Sequence, residues 1–89
     1  MAWTIEFAPE AERTLAKLDR QVARRIVRFM NERVAPLEDP RRIGTALQGQ
    51  KQSGLWRYRV GDYRVLAQLF HDRVIVRVVK VGHRRDVYK

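Results

Sequence analysis

One stretch of the chain, residues 55–70, constrains the fold most strongly because it specifies a β-hairpin and its register. The stretch reads Leu-Trp-Arg-Tyr-Arg-Val-Gly-Asp-Tyr-Arg-Val-Leu-Ala-Gln-Leu-Phe and alternates apolar and polar residues around Gly61-Asp62. A two-residue Gly-Asp connection is typical of a tight hairpin turn, and such a turn fixes the strand register. The predicted pairs are Val60 with Tyr63, Arg59 with Arg64, Tyr58 with Val65, and Arg57 with Leu66.

The predicted hairpin has an apolar face and an arginine face, because successive side chains of a strand point to opposite sides. Like charges directly opposite one another on a sheet cost up to roughly 1 kcal/mol, so the arginine face favours an anionic ligand. We expect that ligand to be the phosphate backbone of RNA. The apolar face comprises Trp56, Tyr58, Val60, Tyr63, Val65, Ala67 and Leu69, and the arginine face comprises Arg57, Arg59 and Arg64.

The distribution of charge supports a polyanionic partner. The 89 residues carry a formal net charge of +9. Residues 1–40 hold seven basic and seven acidic residues, whereas residues 41–89 hold twelve basic and three acidic residues. The C-terminal half therefore supplies the whole surplus, as in a domain with a nucleic-acid-binding surface. A generally basic, solvated surface is the alternative interpretation.

Length and composition narrow the class of protein. A chain of 89 residues predicts a single domain, residues 1–89, with one modest core. The chain has no cysteine, which excludes disulfides and thiolate zinc sites. It has no basic leader with an apolar run and no stretch of roughly 18 apolar residues, so we expect a cytoplasmic protein without membrane contact. Because the acidic residues lie mostly in the neutral half, we expect no metal and no cofactor.

The remaining patterns predict an α+β fold. Residues 2–7 are rich in β-formers, Pro9 suits the first turn of a helix, and Asp19 suits the N-cap of a second helix. Pro36 should end that second helix, and residues 36–53 should form a loop. We therefore predict a small twisted antiparallel sheet of about four strands with two N-terminal helices packed on one face.

A further strand, residues 74–81, follows a second tight turn at His71-Asp72. If this turn pairs Phe70 with Arg73, then Ala67 faces Val76, and Arg77 joins the arginine face. The helices would then cover the apolar face and leave the arginine face exposed to solvent.

The C-terminal residues Val81-Gly82-His83-Arg84-Arg85-Asp86-Val87-Tyr88-Lys89 carry groups that bind phosphates or move protons on them. Gly82 would let this tail turn toward the arginine face. His83 provides an imidazole, a group type that can transfer protons, Arg84 is a fixed cation, and Tyr88 can stack on a base. Each residue alone would be ordinary on a surface, but their combination with the arginine hairpin predicts an RNA site.

The chain resembles the RelE/ParE toxin superfamily of bacterial toxin–antitoxin systems, and within it the RelE-type branch. The resemblance covers nearly the whole chain. It lies in the Phe-Ala-Pro-Glu-Ala segment at residues 7–11, the predicted helix pair, the hairpin at residues 55–66, and Val-Gly-His-Arg-Arg-Asp-Val-Tyr at residues 81–88.

The resemblance implies a toxin that cleaves mRNA in the ribosomal A site without a metal, using basic residues and a tyrosine. The implied partners are mRNA, the ribosome with its 16S rRNA, and a cognate antitoxin in a toxin–antitoxin hetero-oligomer. The implied catalytic residues are Arg57, Arg59, Arg64, His83, Arg84 and Tyr88. The RNA-binding residues that we expect from the arginine face and the basic C-terminal half are Arg57, Arg59, Arg64, Arg77, Lys51 and Arg85.

One departure from the family bears on the chemistry, because Arg57 and Arg59 fall where relatives often have lysine. Arginine does not lose its proton in proteins, so Arg57 is a poor general base. We therefore expect the arginines to bind phosphate, His83 to transfer protons, and Tyr88 to stack on a base. Two alternatives remain, namely a ParE-like toxin that targets DNA gyrase and a nucleic-acid-binding module without catalytic activity.

Overall fold

The computed structural model describes residues 2–49 and 54–88 as two α-helices and one five-stranded sheet, with two short helical segments between them. The helices are α1 (Pro9–Lys17) and α2 (Arg20–Phe29), and α2 continues into a π-helical turn (Met30–Val34). A 3₁₀ turn (Pro40–Arg42) precedes the hairpin. The strands are β1 (Thr4–Phe7), β2 (Thr45–Ala46), β3 (Leu55–Val60), β4 (Tyr63–Phe70) and β5 (Ile75–His83).

The sheet order is β1-β5-β4-β3-β2, and β1 runs parallel to β5 while the other neighbours are antiparallel. The predicted α+β architecture is confirmed, with five strands instead of about four and a mixed instead of an antiparallel sheet. The extra strand, β2, is a two-residue pairing with β3 inside the predicted loop. The parallel pair arises because the first strand lies beside the last one, and no local pattern encodes that contact.

The hairpin of β3 and β4 has the predicted register at all four predicted pairs, including Arg59 opposite Arg64. Gly61 in the connecting turn has a φ of +60°, a left-handed conformation that glycine adopts without steric cost. The local sequence was therefore sufficient to define this pair of strands.

The predicted register between β4 and β5 is wrong by two residues. Phe70 pairs with Ile75 instead of Arg73, because the connection contains four residues instead of two. Val74, the last of these, has a φ of +57°, which is unusual for a β-branched residue. A shift of two residues keeps Val76 on the apolar face and Arg77 on the arginine face, but a bulge opposite Leu66 and Ala67 exchanges the faces of the β5 residues beyond Val78.

The core lies between the helices and the apolar face of the sheet. Ile26 and Met30 from the helical side and Tyr58 from the sheet are completely buried. The Tyr58 hydroxyl donates a 2.8 Å hydrogen bond to the Pro40 carbonyl, and burial raises the pKa of this phenol above its ordinary value. The other completely buried members of this core are Ala11, Val34, Val65, Ala67, Val76 and Val78.

The residues before β2 are ordered by a short polar network. Asp39 caps the 3₁₀ turn by accepting a 3.0 Å hydrogen bond from the Arg41 amide, and its carboxylate also accepts from the Arg41 guanidinium. These hydrogen bonds lower the pKa of Asp39 to about 2. Within the described residues, no helix is long and apolar enough to cross a membrane.

The boundary between α1 and α2 depends on one side chain, because Asp19 accepts hydrogen bonds from the amides of Gln21 (2.9 Å) and Val22 (3.4 Å). This confirms the predicted N-cap. We expect Asp19→Ala to lower the free energy of unfolding by about 1 kcal/mol, since two helix amides lose their acceptor. Urea denaturation would measure the change. Asp19→Asn is the matched control and should retain most of the stability, and an equal loss in both variants would contradict the capping role.

Candidate functional site

The face of the sheet that points away from the helices carries most of the predicted site residues, and we call it the open face. Strand alternation and the observed registers place Arg57 of β3, Arg64 and Leu66 of β4, and Arg77 of β5 on this face. The same registers place Tyr58, Val65 and Val76 on the helix side, where all three are buried. The predicted separation of apolar and cationic side chains therefore agrees with the structure.

Arg57 and Tyr88, which are 31 positions apart in the chain, meet on the open face. The Arg57 Nη1 lies 3.4 Å from the Tyr88 hydroxyl oxygen. The Arg57 Nε is buried and has no hydrogen-bond partner in the part of the chain that the structure describes. A buried donor without an acceptor is costly, so Arg57 carries a polar atom that the fold itself leaves unsatisfied.

The C-terminal tail reaches Arg57 because it reverses direction directly after β5. The amides of Asp86 and Val87 both donate to the His83 carbonyl, at 2.8 and 3.0 Å, and close a tight turn. Val87 is 1% exposed and lies over Gly82, which pairs with Arg64 on the open face. The turn therefore fixes Val87 on the sheet and brings the next residue, Tyr88, to Arg57.

The two facing arginines of the hairpin have different surroundings. The Arg64 Nη1 donates 3.0 Å hydrogen bonds to the carbonyls of Gly61 and Tyr63. Arg59 is exposed and lines a groove of about 360 Å³ beside α2. The repulsion between these two arginines is therefore reduced in two ways, besides any bound anion. Carbonyls near the turn accept hydrogen bonds from Arg64, and Arg59 lies toward α2. The other basic residues of the groove are Arg25, Arg28 and Arg33.

His83 does not join Arg57 and Tyr88. We expected Gly82 to end the strand, but β5 continues through Gly82 to His83, which pairs with Tyr63. Strand alternation therefore places His83 on the Tyr63 side of the sheet, and its ring packs edge-on against Tyr63 with 5.6 Å between ring centres. Its Nδ1 lies 3.2 Å from the Arg85 amide and accepts its hydrogen bond, so His83 helps to build the tail turn.

The other predicted residues lie in three places. Arg84 and Arg85 are exposed in the tail turn, and the Arg84 amide donates a 2.8 Å hydrogen bond to the Asp62 carbonyl at the hairpin tip. Arg77 lies at the opposite end of the open face, where its Nη1 is 3.4 Å from a carboxylate oxygen of Glu6. Lys51 lies outside the described residues.

Sequence reasoning identified Gly82 as the residue that lets the tail turn, but it missed Val87 as a residue that positions Tyr88. An ideal Cβ at Gly82 would lie 3.2 Å from both Cα and Cβ of Val87, so any larger residue here would force the tail to move by a few tenths of an ångström. The available signal was a single apolar residue, Val87, in an otherwise polar tail.

We expect Gly82→Ala to displace the tail without unfolding the sheet, because the added methyl group meets the Val87 backbone. The measurement is hydrogen exchange of the Val87 amide, which should become faster when its bond to the His83 carbonyl is disturbed. Arg13→Ala, at an exposed position of α1, is the control and should leave Val87 unaffected. Unchanged Val87 exchange in Gly82→Ala would contradict the positioning role.

The fold and the open face define a small α+β protein whose sheet presents arginines and a tyrosine to solvent. The profile of a family described as the ParE toxin of type II toxin–antitoxin systems, parDE, matches residues 5–88. The chain is also similar to toxin RelG of Mycobacterium tuberculosis, with 29% identity over 89 residues that cover 100% of this chain and 99% of the relative.

Solved structures show the same similarity. The toxin–antitoxin complex RelBE2 of Mycobacterium tuberculosis contains a chain with 28% identity and a TM-score of 0.84, covering 97% of this chain and 95% of that one. The archaeal RelE–RelB complex of Pyrococcus horikoshii shares the fold at 22% identity and a TM-score of 0.69, covering 98% and 100% of the two chains. The chain therefore belongs to the ParE toxin family of the RelE/ParE superfamily and is a RelE-like toxin of a type II toxin–antitoxin system.

Proposed function

We propose that this toxin is a metal-free endoribonuclease that inhibits translation by cleaving mRNA in the ribosomal A site. The observation that carries the proposal is the contact between Arg57 and Tyr88 on the open face, next to a buried Arg57 Nε that lacks an acceptor. Such a cleavage requires a general base, a general acid and positive charge. A guanidinium supplies the positive charge, and a phenol is a group that can take or give a proton.

The proposed reaction is an intramolecular transfer at phosphorus. The 2′-oxygen forms a bond to the adjacent phosphorus, and the bond between that phosphorus and the 5′-oxygen breaks. The proton of the 2′-hydroxyl passes to a general base, and the departing 5′-oxygen receives a proton from a general acid. The products are a 2′,3′-cyclic phosphate and a free 5′-hydroxyl, and positive charge stabilises the intervening phosphorane.

The arginines are proposed to supply that positive charge. Arg57 has an unpartnered Nε among the described residues, and Arg64 uses one Nη for the turn carbonyls. Arg59 and Arg84 lie at the same hairpin end and would contact the flanking phosphates, with Arg84 near the leaving oxygen. None of these four residues can act as a base, because guanidinium keeps its proton in proteins.

We assign proton transfer to Tyr88 instead of His83. The Tyr88 hydroxyl lies on the open face at 3.4 Å from Arg57, whereas the register places His83 on the Tyr63 side of the sheet. Geometry has priority over ordinary pKa in choosing a proton-transfer group, because the group must reach the proton it takes. His83 is then a positioning residue, which holds the turn that delivers Tyr88.

A cognate antitoxin and the ribosome are the proposed partners. The similar structure from Mycobacterium tuberculosis is described as a toxin–antitoxin complex, and that from Pyrococcus horikoshii as a complex of RelE with RelB. We propose that this chain forms a comparable hetero-oligomer, in which acidic residues of a flexible antitoxin segment neutralise the open-face arginines. On the ribosome, mRNA and 16S rRNA would provide phosphates for Arg85 and Lys51 and other RNA contacts for Arg77.

The decisive variant is Tyr88→Phe, which removes one hydroxyl and keeps the ring. We expect cleavage of mRNA on programmed ribosomes to slow by at least about 100-fold, as is usual when a proton-transfer group is lost. The measurement is the yield of 5′ ends together with chemical detection of the 2′,3′-cyclic phosphate. Wild-type cleavage by Tyr88→Phe would refute the assignment.

His83→Asn is the matched test of the alternative assignment. The asparagine carbonyl can accept a hydrogen bond from an amide two residues further on, so it should preserve the turn while removing the imidazole. We expect this variant to cleave within a few-fold of the wild-type rate. A loss as large as that of Tyr88→Phe would return the proton-transfer role to His83.

A second candidate function follows from the family match, because the matching profile describes ParE toxins. A ParE-like protein would poison DNA gyrase and would need no proton transfer at Tyr88. Inhibition of gyrase supercoiling without any cyclic-phosphate product would favour this candidate. Binding of RNA with neither activity would instead indicate a nucleic-acid-binding module.

A further inference from the structure

The open face contains a second recess, which the cleavage chemistry does not use, and we call it the distal pocket. It has a volume of about 250 Å³ and is lined by Glu6, Gln68, Phe70, Arg73, Ile75 and Arg77. We propose that the distal pocket binds a nucleobase of the RNA near the cleaved phosphate and thereby selects the cleavage site. This inference rests on the proposed ribonuclease function.

Charge argues for a base and against a phosphate in this pocket. Glu6 and Arg77 are directly paired between β1 and β5, and their charged atoms lie 3.4 Å apart. The cation is therefore already partly neutralised, and the carboxylate would repel a phosphate. A nucleobase is neutral and carries donors and acceptors on one edge, so it can use both members of the ion pair.

The pocket also provides a surface for stacking. The guanidinium carbon of Arg73 lies 4.4 Å from the centre of the Phe70 ring, in a cation–π contact. Arg73 is exposed, so its guanidinium presents another side to solvent. Unstacked RNA bases commonly stack on aromatic rings or on arginine planes while polar groups contact their edges. Gln68 is exposed beside this pair, and its amide offers both a donor and an acceptor.

The position of the pocket suits a nucleotide close to the cut. Arg57 pairs with Leu66, two positions along β4 from Gln68, and Gln68 pairs with Arg77 one strand further across. From strand geometry, Arg77 is roughly 7 Å along the strands and roughly 10 Å across them from Arg57. Phe70, Ile75 and Glu6 lie further from Arg57. A single strand of RNA lying on the open face would span this separation within very few nucleotides.

The first experiment measures binding without requiring cleavage. The toxin is titrated with each of the four nucleoside 5′-monophosphates and with inorganic phosphate, and NMR follows the Gln68 side-chain amide. We expect shifts with at least one nucleotide, none with phosphate alone, and loss of the response in Arg73→Ala. Equal shifts with inorganic phosphate would overturn the proposal. No response to any nucleotide would also overturn it, and would indicate that the pocket binds a protein side chain instead.

The second experiment reads specificity from cleavage sites mapped on a transcript pool. We expect one nucleotide position beside the cleaved bond to show a preference for one base of at least about fivefold. This is the lower end of the discrimination that two hydrogen bonds to the same base provide. Glu6→Gln should abolish this preference by weakening cleavage at the preferred base, whereas Glu10→Gln, an exposed helix residue, should change nothing. An unaltered preference in Glu6→Gln would overturn the proposal. If the wild-type toxin cleaves no RNA, the ribonuclease proposal fails, and the titration alone decides whether the distal pocket binds a nucleobase.

Discussion

The pairing of β3 with β4 is the constraint on which the other parts of the molecule depend. Its two-residue turn fixes which side chains lie under the helices and which lie in solvent, and a slip of one residue would exchange the two sets. The core then forms around Tyr58 and Val65, both completely buried. The same register obliges Arg57 and Arg64 to share the open face, so stability and function depend on one turn.

Several cations on one face of a sheet repel one another, and the arginines of the open face differ in how far other groups of the protein compensate their charge. Arg64 is stabilised by turn carbonyls and Arg77 by Glu6, whereas Arg57 meets a phenol and keeps a buried Nε without a partner among the described residues. Cations already satisfied within the protein gain less from a phosphate than one with an unused donor. Of these three arginines, only Arg57 has a buried polar atom left unsatisfied, and this distinguishes the point beside Tyr88 from the rest of the open face.

The sequence was sufficient where the determining interactions are local. The β3–β4 register follows from Gly61-Asp62, and the α2 start follows from the hydrogen bonds of Asp19 to the next helical amides. The β4–β5 register could not be predicted in the same way, because Val74 adopts a left-handed conformation that its β-branched side chain gives no reason to expect. The parallel β1–β5 pair and the position of His83 depend on contacts between distant segments. One extra residue in β5, at the bulge opposite Leu66 and Ala67, decides on which face of the sheet His83 lies.

The contact between Arg57 and Tyr88 also joins segments that are distant in the sequence. Because the fold does not depend on this contact, one fold can serve different targets. The sheet and helices would form with other residues at positions 57 and 88, because both lie on the face that the core does not use. Relatives with low identity share the fold, as does the Pyrococcus horikoshii toxin at 22% identity and a TM-score of 0.69. A shared fold does not determine activity, which depends on the few side chains that the scaffold presents. Here the scaffold presents Arg57 and brings Tyr88 to it through the Gly82–Val87 contact. Under the proposed function, the choice between cleaving RNA and binding another target therefore depends on the tail, although the hairpin determines the fold.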